Sequence, residues 1–263
     1  MKIKKLIIAV LMILSLFLFS ACSTAEETFI EPFWNNYEEF TFNAYENDKI
    51  IGTMTITIKK LYDETADFSS DKKVENATGS IVNFNLDLNN GDYVKSRVLF
   101  KTNFIPIYSE RSFKNGDREV FQTQSYDGKH CNYTIDENGN KREGKIKVKN
   151  LHTDNEMLYT VIRASRLENP KYSGITIQTP IIQEGKASNI SCIKQANSDV
   201  INDFNEKATC YVVSVNKSNG KGSPIKIKYA TENITVNGLE IKKAPVQIIE
   251  GSIVYTLTNA FAA

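Results

Sequence analysis

The segment from residue 40 to residue 58, FTFNAYENDKIIGTMTITI, decides the fold, because it contains two alternating runs of residues joined by a polar turn. The apolar members of the two runs are Phe40, Phe42, Ala44, Met54, Ile56 and Ile58. Apolar residues at every second position are typical of strands that bury one face and expose the other to water. The segment therefore predicts an antiparallel hairpin whose turn is Glu46–Lys49.

Turn signals of the hairpin type recur along the rest of the chain. The pairs of the favoured kind are Asn90-Gly91, Asn115-Gly116, Asp127-Gly128, Asn138-Gly139, Asn219-Gly220 and Asn237-Gly238. Such pairs suit type I′ turns, because both central residues of that turn take positive φ. Alternating runs between them predict strands at Val82–Leu88, Val94–Phe100, Val120–Tyr126, Cys131–Asp136, Lys145–Lys149, Cys210–Lys217, Ile225–Ala230 and Ile253–Leu257. We therefore expect a body that is mainly antiparallel β.

One segment has the helical period instead. Within Thr153–Glu168, apolar residues recur at i, i+1, i+4 and i+5, starting at Met157. The first two residues of the segment can cap a helix, and Asn169-Pro170 ends the run. We predict an amphipathic helix of about three turns that covers the apolar face of the sheet, which gives an α+β fold. A second, shorter helix is predicted over Ser198–Lys207.

The amino terminus has the layout of an export signal. Three lysines within the first five residues precede the apolar stretch Leu6–Phe19, whose 14 residues are too few to span a bilayer as a helix. Small residues then lead directly to Cys22. The segment resembles a bacterial lipoprotein signal, with Phe19 where that family usually has Leu. This resemblance implies that Cys22 carries a diacylglyceryl thioether and becomes the first residue of the mature chain.

These features divide the chain into a signal peptide at 1–21, a lipidated cysteine and tether at 22–35, and a single domain at 36–260. Removing the signal takes three of the 32 basic residues, which leaves 29 basic against 31 acidic residues. Such a balance argues against nucleic acid as a partner, since binding it needs a basic patch. We expect the protein at the cell membrane, lipid-anchored on the extracytoplasmic side, or at the outer membrane or periplasm if the source is diderm.

The sequence offers little catalytic chemistry. Its histidines are His130 and His152, and no zinc, Cys-x-x-Cys, nucleophile-elbow or phosphate-loop motif is present. His130 precedes Cys131 directly, but neighbours in a strand point to opposite faces. We therefore expect a protein that is not an enzyme and has no metal or cofactor. An envelope hydrolase would need a cleft that joins one histidine to carboxylates.

Three cysteines remain after Cys22, namely Cys131, Cys192 and Cys210. An odd number in an exported chain leaves at least one thiol unpaired. The sequence is compatible both with three buried free thiols and with a bridge between Cys192 and Cys210, and connectivity does not follow from spacing.

Several short motifs carry a family resemblance over roughly residues 36–258. They are Ile51-Gly52, the predicted helix from Asp154 to Arg163, Cys210–Val215, Ser223–Tyr229, Ala244–Ile248 and Gly251–Ile253. Together they resemble the domain of unknown function 3108 family, although this chain alternates Ile and Lys in Ile225–Tyr229, where the family often has Trp. The resemblance implies an exported or lipid-anchored protein with a strongly curved sheet or partial barrel packed against one amphipathic helix. This shape is similar to bacterial lipoprotein carriers that hold acyl chains, and the family brings no established catalytic residues.

Aromatic residues cluster before and within the first strand, at Phe29, Phe33, Trp34, Tyr37, Phe40 and Phe42. This cluster is expected to form the start of the core, to gate an apolar cavity, or to lie on the membrane near the anchor. A curved sheet of this size favours an internal ligand site. We therefore predict a non-catalytic envelope protein that binds a hydrophobic or lipid-like ligand. The candidate cavity residues are Trp34, Phe40, Phe42, Met54, Phe84, Met157 and Val161. The alternative is an interaction or assembly factor that binds an unidentified envelope protein through its sheet edge or wet face.

Overall fold

A computed structural model describes residue 29 and residues 32–149, 151–201, 207–217 and 224–263. The predicted signal peptide, Cys22 and the turn pair Asn219-Gly220 lie outside the described residues.

The described residues form sixteen strands and one α-helix, α1 (Leu158–Arg163). The strands of the first half are β1 (Tyr37–Glu46), β2 (Lys49–Asp67), β3 (Lys73–Leu88), β4 (Tyr93–Phe100), β5 (Pro106–Asn115), β6 (Arg118–Tyr126), β7 (His130–Glu137) and β8 (Asn140–Lys147). Those of the second half are β9 (Gly174–Ile181), β10 (Lys186–Ile201), β11 (Lys207–Lys217), β12 (Ile225–Ala230), β13 (Ile234–Val236), β14 (Leu239–Ile241), β15 (Pro245–Glu250) and β16 (Ile253–Ala262). A short 3₁₀ turn at Ile182–Glu184 follows β9.

Fourteen strands form one antiparallel sheet in the order β8-β7-β6-β5-β4-β3-β2-β1-β16-β15-β12-β11-β10-β9. Each half of the chain is a meander, and the two halves meet where β1 pairs with β16. The remaining pair, β13 and β14, forms a small separate hairpin. The prediction of a mainly antiparallel β protein is confirmed.

The sheet curves until its two edges almost meet. Just after β8, His152 makes a parallel bridge with Gln178 of β9. The backbone N–H of Thr153 donates to the carbonyl of Gln178 at 2.8 Å, and the N–H of Gln178 donates to the carbonyl of Leu151 at 3.2 Å. This short contact makes the sheet a nearly closed barrel. The structure thus agrees with the expected curved sheet or partial barrel.

The register of the first hairpin follows the alternation in its sequence. Phe40 lies opposite Ile56, and Phe42 lies opposite Met54. These side chains are buried inside the barrel, whereas the threonines between them face outward. The hairpin that decides the fold is therefore formed as predicted.

The Asn-Gly and Asp-Gly pairs mark hairpins, but only some have the predicted turn type. Both residues of Asn138-Gly139 and of Asn237-Gly238 have positive φ, as in type I′ turns. Asp127-Gly128 and Asn90-Gly91 lie in loops of three and four residues, where only the glycine has positive φ. At Asn115-Gly116 the loop is Gly116-Asp117, and only its first residue has positive φ, the pattern of a type II′ turn.

The helix is shorter than predicted and lies in a different environment. Helix α1 has six residues, and all of them except Tyr159 are buried, so it fills the interior instead of lying amphipathically on one face of a sheet. The residues before it do not join the helix, because the backbone of Thr153 pairs with β9 and the side chain of Asp154 is bonded to β5 and β6. The second predicted helix is also wrong, since Ser198–Ile201 belong to β10 and Lys207 begins β11.

Buried polar contacts hold α1 inside the barrel. Arg163 forms an ion pair with Glu38 of β1, and its Nε donates to the carbonyl of Lys242 at 2.9 Å. The hydroxyl of Tyr229 in β12 donates to the carbonyl of Tyr159 at 2.6 Å. Helix α1 therefore contacts β1, β12 and the segment after β14, close to the place where the two halves of the chain meet in the sheet.

Aromatic side chains fill one end of the barrel. The Trp34 ring packs edge-on against Phe100 and Phe104, with ring centroids 6.2 and 6.0 Å apart. Its Nε1 donates to the hydroxyl of Ser80 at 3.2 Å, and Phe29 contacts Phe104 at 5.1 Å. This end of the barrel is packed with side chains.

Candidate functional site

The other end of the barrel contains a cavity of about 810 Å³. Leu86 and Val94 on its wall flank the β3–β4 turn, whereas Trp34 packs near the β4–β5 turn at the opposite end. The cavity is bounded by both halves of the sheet and by the start of α1. Its volume falls in the range of about 300–1,000 Å³ that is usual for small-molecule sites.

Apolar side chains form much of the cavity wall, and we call them the apolar wall. They are Met54, Phe84, Leu86, Val94, Leu158, Ile181, Ile182, Ile190, Val215, Ile225 and Tyr255. Met54, Phe84 and Leu86 stand at inward positions because β2 and β3 alternate in the pattern that the sequence shows. Tyr159 lies flat against Phe84, with ring centroids 5.9 Å apart, at the base of this wall.

A second part of the wall is polar and breaks the usual pattern of an apolar interior. This polar wall consists of Arg111, Gln122, Gln124, Glu156, Thr179 and Ser188. Gln122 and Gln124 share the inward face of β6 with Val120 and Tyr126. The interior of the barrel therefore offers hydrogen-bonding groups as well as apolar contacts.

Asp154 organises the side chains behind the polar wall. Its carboxyl accepts hydrogen bonds from Ser109 Oγ at 2.6 Å, Gln124 Nε2 at 3.0 Å and Tyr126 Oη at 2.9 Å. Burial, together with the negative charge of Asp154, raises the pKa of Tyr126 well above its usual value. Because Asp154 is itself buried, these bonds fix its position and that of Gln124 on the cavity side.

Glu156 and Arg111 form a partly buried ion pair on the polar wall. Arg111 Nε lies 3.1 Å from Glu156 Oε1, and the glutamate side chain is 8% exposed. Burial, opposed by the charge of Arg111 and helped by that of Asp154, raises the pKa of Glu156 to about 7. The charge of this wall therefore changes close to neutral pH.

Three buried polar atoms on the polar wall lack a hydrogen-bond partner among the described residues. They are Arg111 Nε, which lies 3.1 Å from Glu156 Oε1 as an ion pair only, and Gln122 Oε1 and Thr179 Oγ1, whose side chains are more than nine-tenths buried. An unpaired buried polar group costs free energy, so such groups are usually satisfied by protein, water or ligand. Their residues line the cavity, but these atoms have almost no accessible surface, so they lie within the wall and not on its inner surface.

The candidate cavity residues predicted from sequence divide into two groups. Met54 and Phe84 line the cavity. The other five, Trp34, Phe40, Phe42, Met157 and Val161, belong to the same hydrophobic cluster but pack in its interior and do not line the cavity. Cys22 lies outside the described residues.

Sequence reasoning missed the polar wall. The signal that would have found part of it is the run from Val120 to Tyr126, whose inward positions hold two glutamines between apolar residues. The contributions of Glu156 and Thr179 depend on the closure of the barrel, which brings segments far apart in sequence together.

The three thiols are free and buried. Burial raises the pKa of Cys131 and of Cys192 to about 12 and that of Cys210 to about 11. These thiols stay protonated at neutral pH, so they lack the thiolate that a cysteine nucleophile needs. Cys131 points inward and donates to Gln124, whereas the neighbouring His130 is partly exposed beside Asp127.

In the described ranges, no three His, Cys, Asp or Glu side chains are grouped so as to hold a metal ion. No helix in this part of the chain has both the length and the apolar character required to cross a membrane.

The nearly closed antiparallel sheet, the internal helix and the half-polar cavity define a β-barrel-like protein with an internal cavity. One similar solved structure is that of a β-barrel-like protein of the domain of unknown function DUF1849 from Brucella abortus. It is 11% identical, with a TM-score of 0.46 over 88% of this chain and 99% of that one. No family model matches this chain, and no curated protein matches it. The resemblance to the domain of unknown function 3108 therefore stays a prediction from the motifs.

Proposed function

We propose that this protein binds a hydrophobic or lipid-like small molecule inside its barrel and performs no chemistry on it. The observation that carries the proposal is the cavity of about 810 Å³ with its apolar wall. Burying the apolar part of a ligand against that wall supplies favourable free energy of about 25 cal/mol per Å² of apolar surface. The buried protonated thiols fit a binding role, because they bring no nucleophile to the cavity.

The proposal includes attachment to a membrane through an acylated Cys22. The described chain starts at the end of the barrel that Trp34 fills, and the cavity lies at the other end. Because Phe29 and Trp34 are buried in the core, the tether predicted at 22–35 is too long; a shorter tether that ends before Phe29 would join the barrel away from the cavity and leave its mouth accessible. Labelling with a palmitate analogue tests this part, and equal labelling of wild type and Cys22→Ala would contradict it.

The binding proposal predicts a specific effect of filling the cavity. Val94 lines the cavity and is only partly buried, so Val94→Trp occupies ligand space at modest cost to the fold. The next residue, Lys95, has a side chain that is 52% exposed, and Lys95→Trp is the matched control. We expect an environment-sensitive hydrophobic dye to bind wild type and Lys95→Trp with the same affinity and Val94→Trp at least about tenfold more weakly. Equal affinities for all three proteins would contradict binding in the cavity.

A further inference from the structure

Arg111 is the single cation among the described residues that line the cavity. It lies opposite Gln122 of β6, on the inward face of the sheet. Its terminal nitrogens, Nη1 and Nη2, make no hydrogen bond with another described residue, yet of the three guanidinium nitrogens only Nε is both buried and without a partner. Both terminal nitrogens therefore keep accessible surface, and the side chain as a whole is 23% exposed. Two such nitrogens form a fork that matches the oxygens of a carboxylate or a phosphate.

Glu156 neutralises Arg111 only while its carboxyl is ionised. The contact of 3.1 Å joins Glu156 Oε1 to Arg111 Nε, and it is an ion pair without a hydrogen bond. Because the pKa of Glu156 is raised to about 7, a large fraction of this carboxyl is protonated at neutral pH. Arg111 is then a partly buried cation without a counterion, a state that is unfavourable by itself and favours an anionic ligand.

The other titratable groups near this pair do not replace Glu156 as the counterion. The groups around Glu156 are Arg111 of β5, Asp154 in its own segment, Tyr159 of α1, Glu250 of β15 and Tyr255 of β16, with Tyr126 and His152 stacked behind the polar wall. The lining residues from the remaining strands carry no ionisable side chain. Burial raises the pKa of Tyr159 well above its usual value and that of Tyr255 to about 12, so both are neutral. Glu250 is exposed, so water screens its charge.

We propose that the cavity binds a single-chain amphiphile whose head group carries one negative charge, and that this charge pairs with Nη1 and Nη2 of Arg111. The inference rests on the proposed function. Phe84 lies two strands from Arg111 in the same cross-strand row, about 10 Å away, so an acyl chain can run from the head group along the apolar wall. A fatty acid carboxylate and the phosphodiester of a single-chain acidic phospholipid share this chemistry. Binding of either one favours protonation of Glu156, because the two anions compete for one cation.

The test compares four probes that share a saturated chain of about the same length and differ in the head group. The purified full chain is delipidated, and each probe displaces a bound hydrophobic dye below the concentration at which the probe forms micelles. The probes are dodecanoate, lauroyl lysophosphatidylglycerol, dodecyl sulfonate and dodecanol. We expect the anions to bind at pH 6 about tenfold more tightly than dodecanol, the factor that a charge-assisted hydrogen bond typically supplies. The tighter of dodecanoate and lysophosphatidylglycerol identifies the source of the head group.

The dependence on pH connects the preference to Glu156. Dodecyl sulfonate keeps its charge throughout, and its affinity for wild type should fall about tenfold from pH 6 to pH 8, while Glu156→Gln keeps the higher affinity at both values. Calorimetry at pH 7 in two buffers of different ionisation enthalpy should show that binding takes up about half a proton in wild type and none in Glu156→Gln. Glu143→Gln, at an exposed position of β8, is the matched control and should behave as wild type.

A second variant tests the cation itself. Arg111→Met keeps an unbranched side chain and removes the charge, so it should weaken dodecyl sulfonate at least about tenfold at pH 6 and change dodecanol by less than about twofold. Its matched control is Arg118→Met, at an exposed position of β6 outside the cavity wall. If Arg111→Met fails to fold, the proton uptake of wild type and Glu156→Gln still tests the inference.

The outcomes separate two kinds of failure. If the anions bind no more tightly than dodecanol, if Arg111→Met binds dodecyl sulfonate as wild type does, or if wild type takes up no proton, the head-group inference is wrong while binding in the cavity stands. If none of the four probes binds, the proposed function itself is wrong.

Discussion

At the scale of single residues, Glu156 is the cavity residue whose protonation is expected to change near neutral pH. Its carboxyl is buried beside Arg111 and close to Asp154. Tyr159, which lines the same cavity, interacts with the charges of both Glu156 and Glu250. Burial raises its pKa from 4.5 to about 7. A raised pKa means that the folded protein holds this proton more tightly than the unfolded chain does, so the protonated form favours folding.

The resulting prediction concerns stability between pH 4.5 and pH 7. The stabilisation associated with this proton is complete below pH 4.5 and is lost as pH rises through 7. We expect the free energy of unfolding of wild type to fall by up to about 3 kcal/mol more than that of Glu156→Gln between pH 5 and pH 8. Chemical denaturation across this range measures the difference. Glu143→Gln, at an exposed position, is the control and should follow wild type. Parallel curves for Glu156→Gln and wild type would contradict the raised pKa.

The sequence indicates the residues of the apolar wall better than those of the polar wall. Met54 and Phe84 were predictable, because strict alternation places them on the same face as the core. Glu156 was not, because it lies within a segment that has the helical period and becomes a cavity residue only when Thr153 pairs with β9. Local patterns report which face of an element is buried, and they do not report which distant element lies opposite.

At the scale of secondary structure, the hairpins were predictable and the helix was not. Alternation and turn residues act over a few neighbouring positions, so β1 and β2 follow directly from the sequence. The length of α1 is set by tertiary contacts instead. Asp154 bonds to Ser109 and Gln124, which holds the residues before Leu158 out of the helix. Arg163, at the other end, is held by groups from β1 and from the segment after β14.

The ion pair between Arg163 and Glu38 is therefore expected to determine whether α1 stays in the barrel. Both side chains are at most 1% exposed, and the guanidinium also lies 5.2 Å from the ring of Phe40. Removing one partner leaves a buried charge without compensation, which typically costs about 3–5 kcal/mol. We expect Glu38→Gln to lower the free energy of unfolding by that amount.

Urea denaturation measures this effect, with Glu75→Gln as the control at an exposed position of β3. The control should change the free energy of unfolding by less than about 0.5 kcal/mol. Equal stability of Glu38→Gln and wild type would show that other contacts suffice to hold the helix.

At the scale of the whole molecule, closure of the barrel creates the candidate site. The two meanders are linked by pairing between β1 and β16 on one side and by the short bridge between His152 and Gln178 on the other. This arrangement brings Gln122 of the first half and Thr179 of the second half to one cavity. Side chains fill the end around Trp34, while the opposite end keeps an open volume. The curvature of the sheet was expected only from the family resemblance. Closure depends on pairing between strands that are far apart in the chain, and such pairing leaves no local pattern in the sequence.

The most direct test of ligand binding is native mass spectrometry of the full chain purified from its own cells, compared with the same sample under denaturing conditions. We expect the native spectrum to contain a species heavier by the mass of one small amphiphile, which disappears on denaturation and is reduced in Val94→Trp but retained in Lys95→Trp. A wild-type chain whose native and denatured masses are equal would contradict the claim that the cavity holds a ligand.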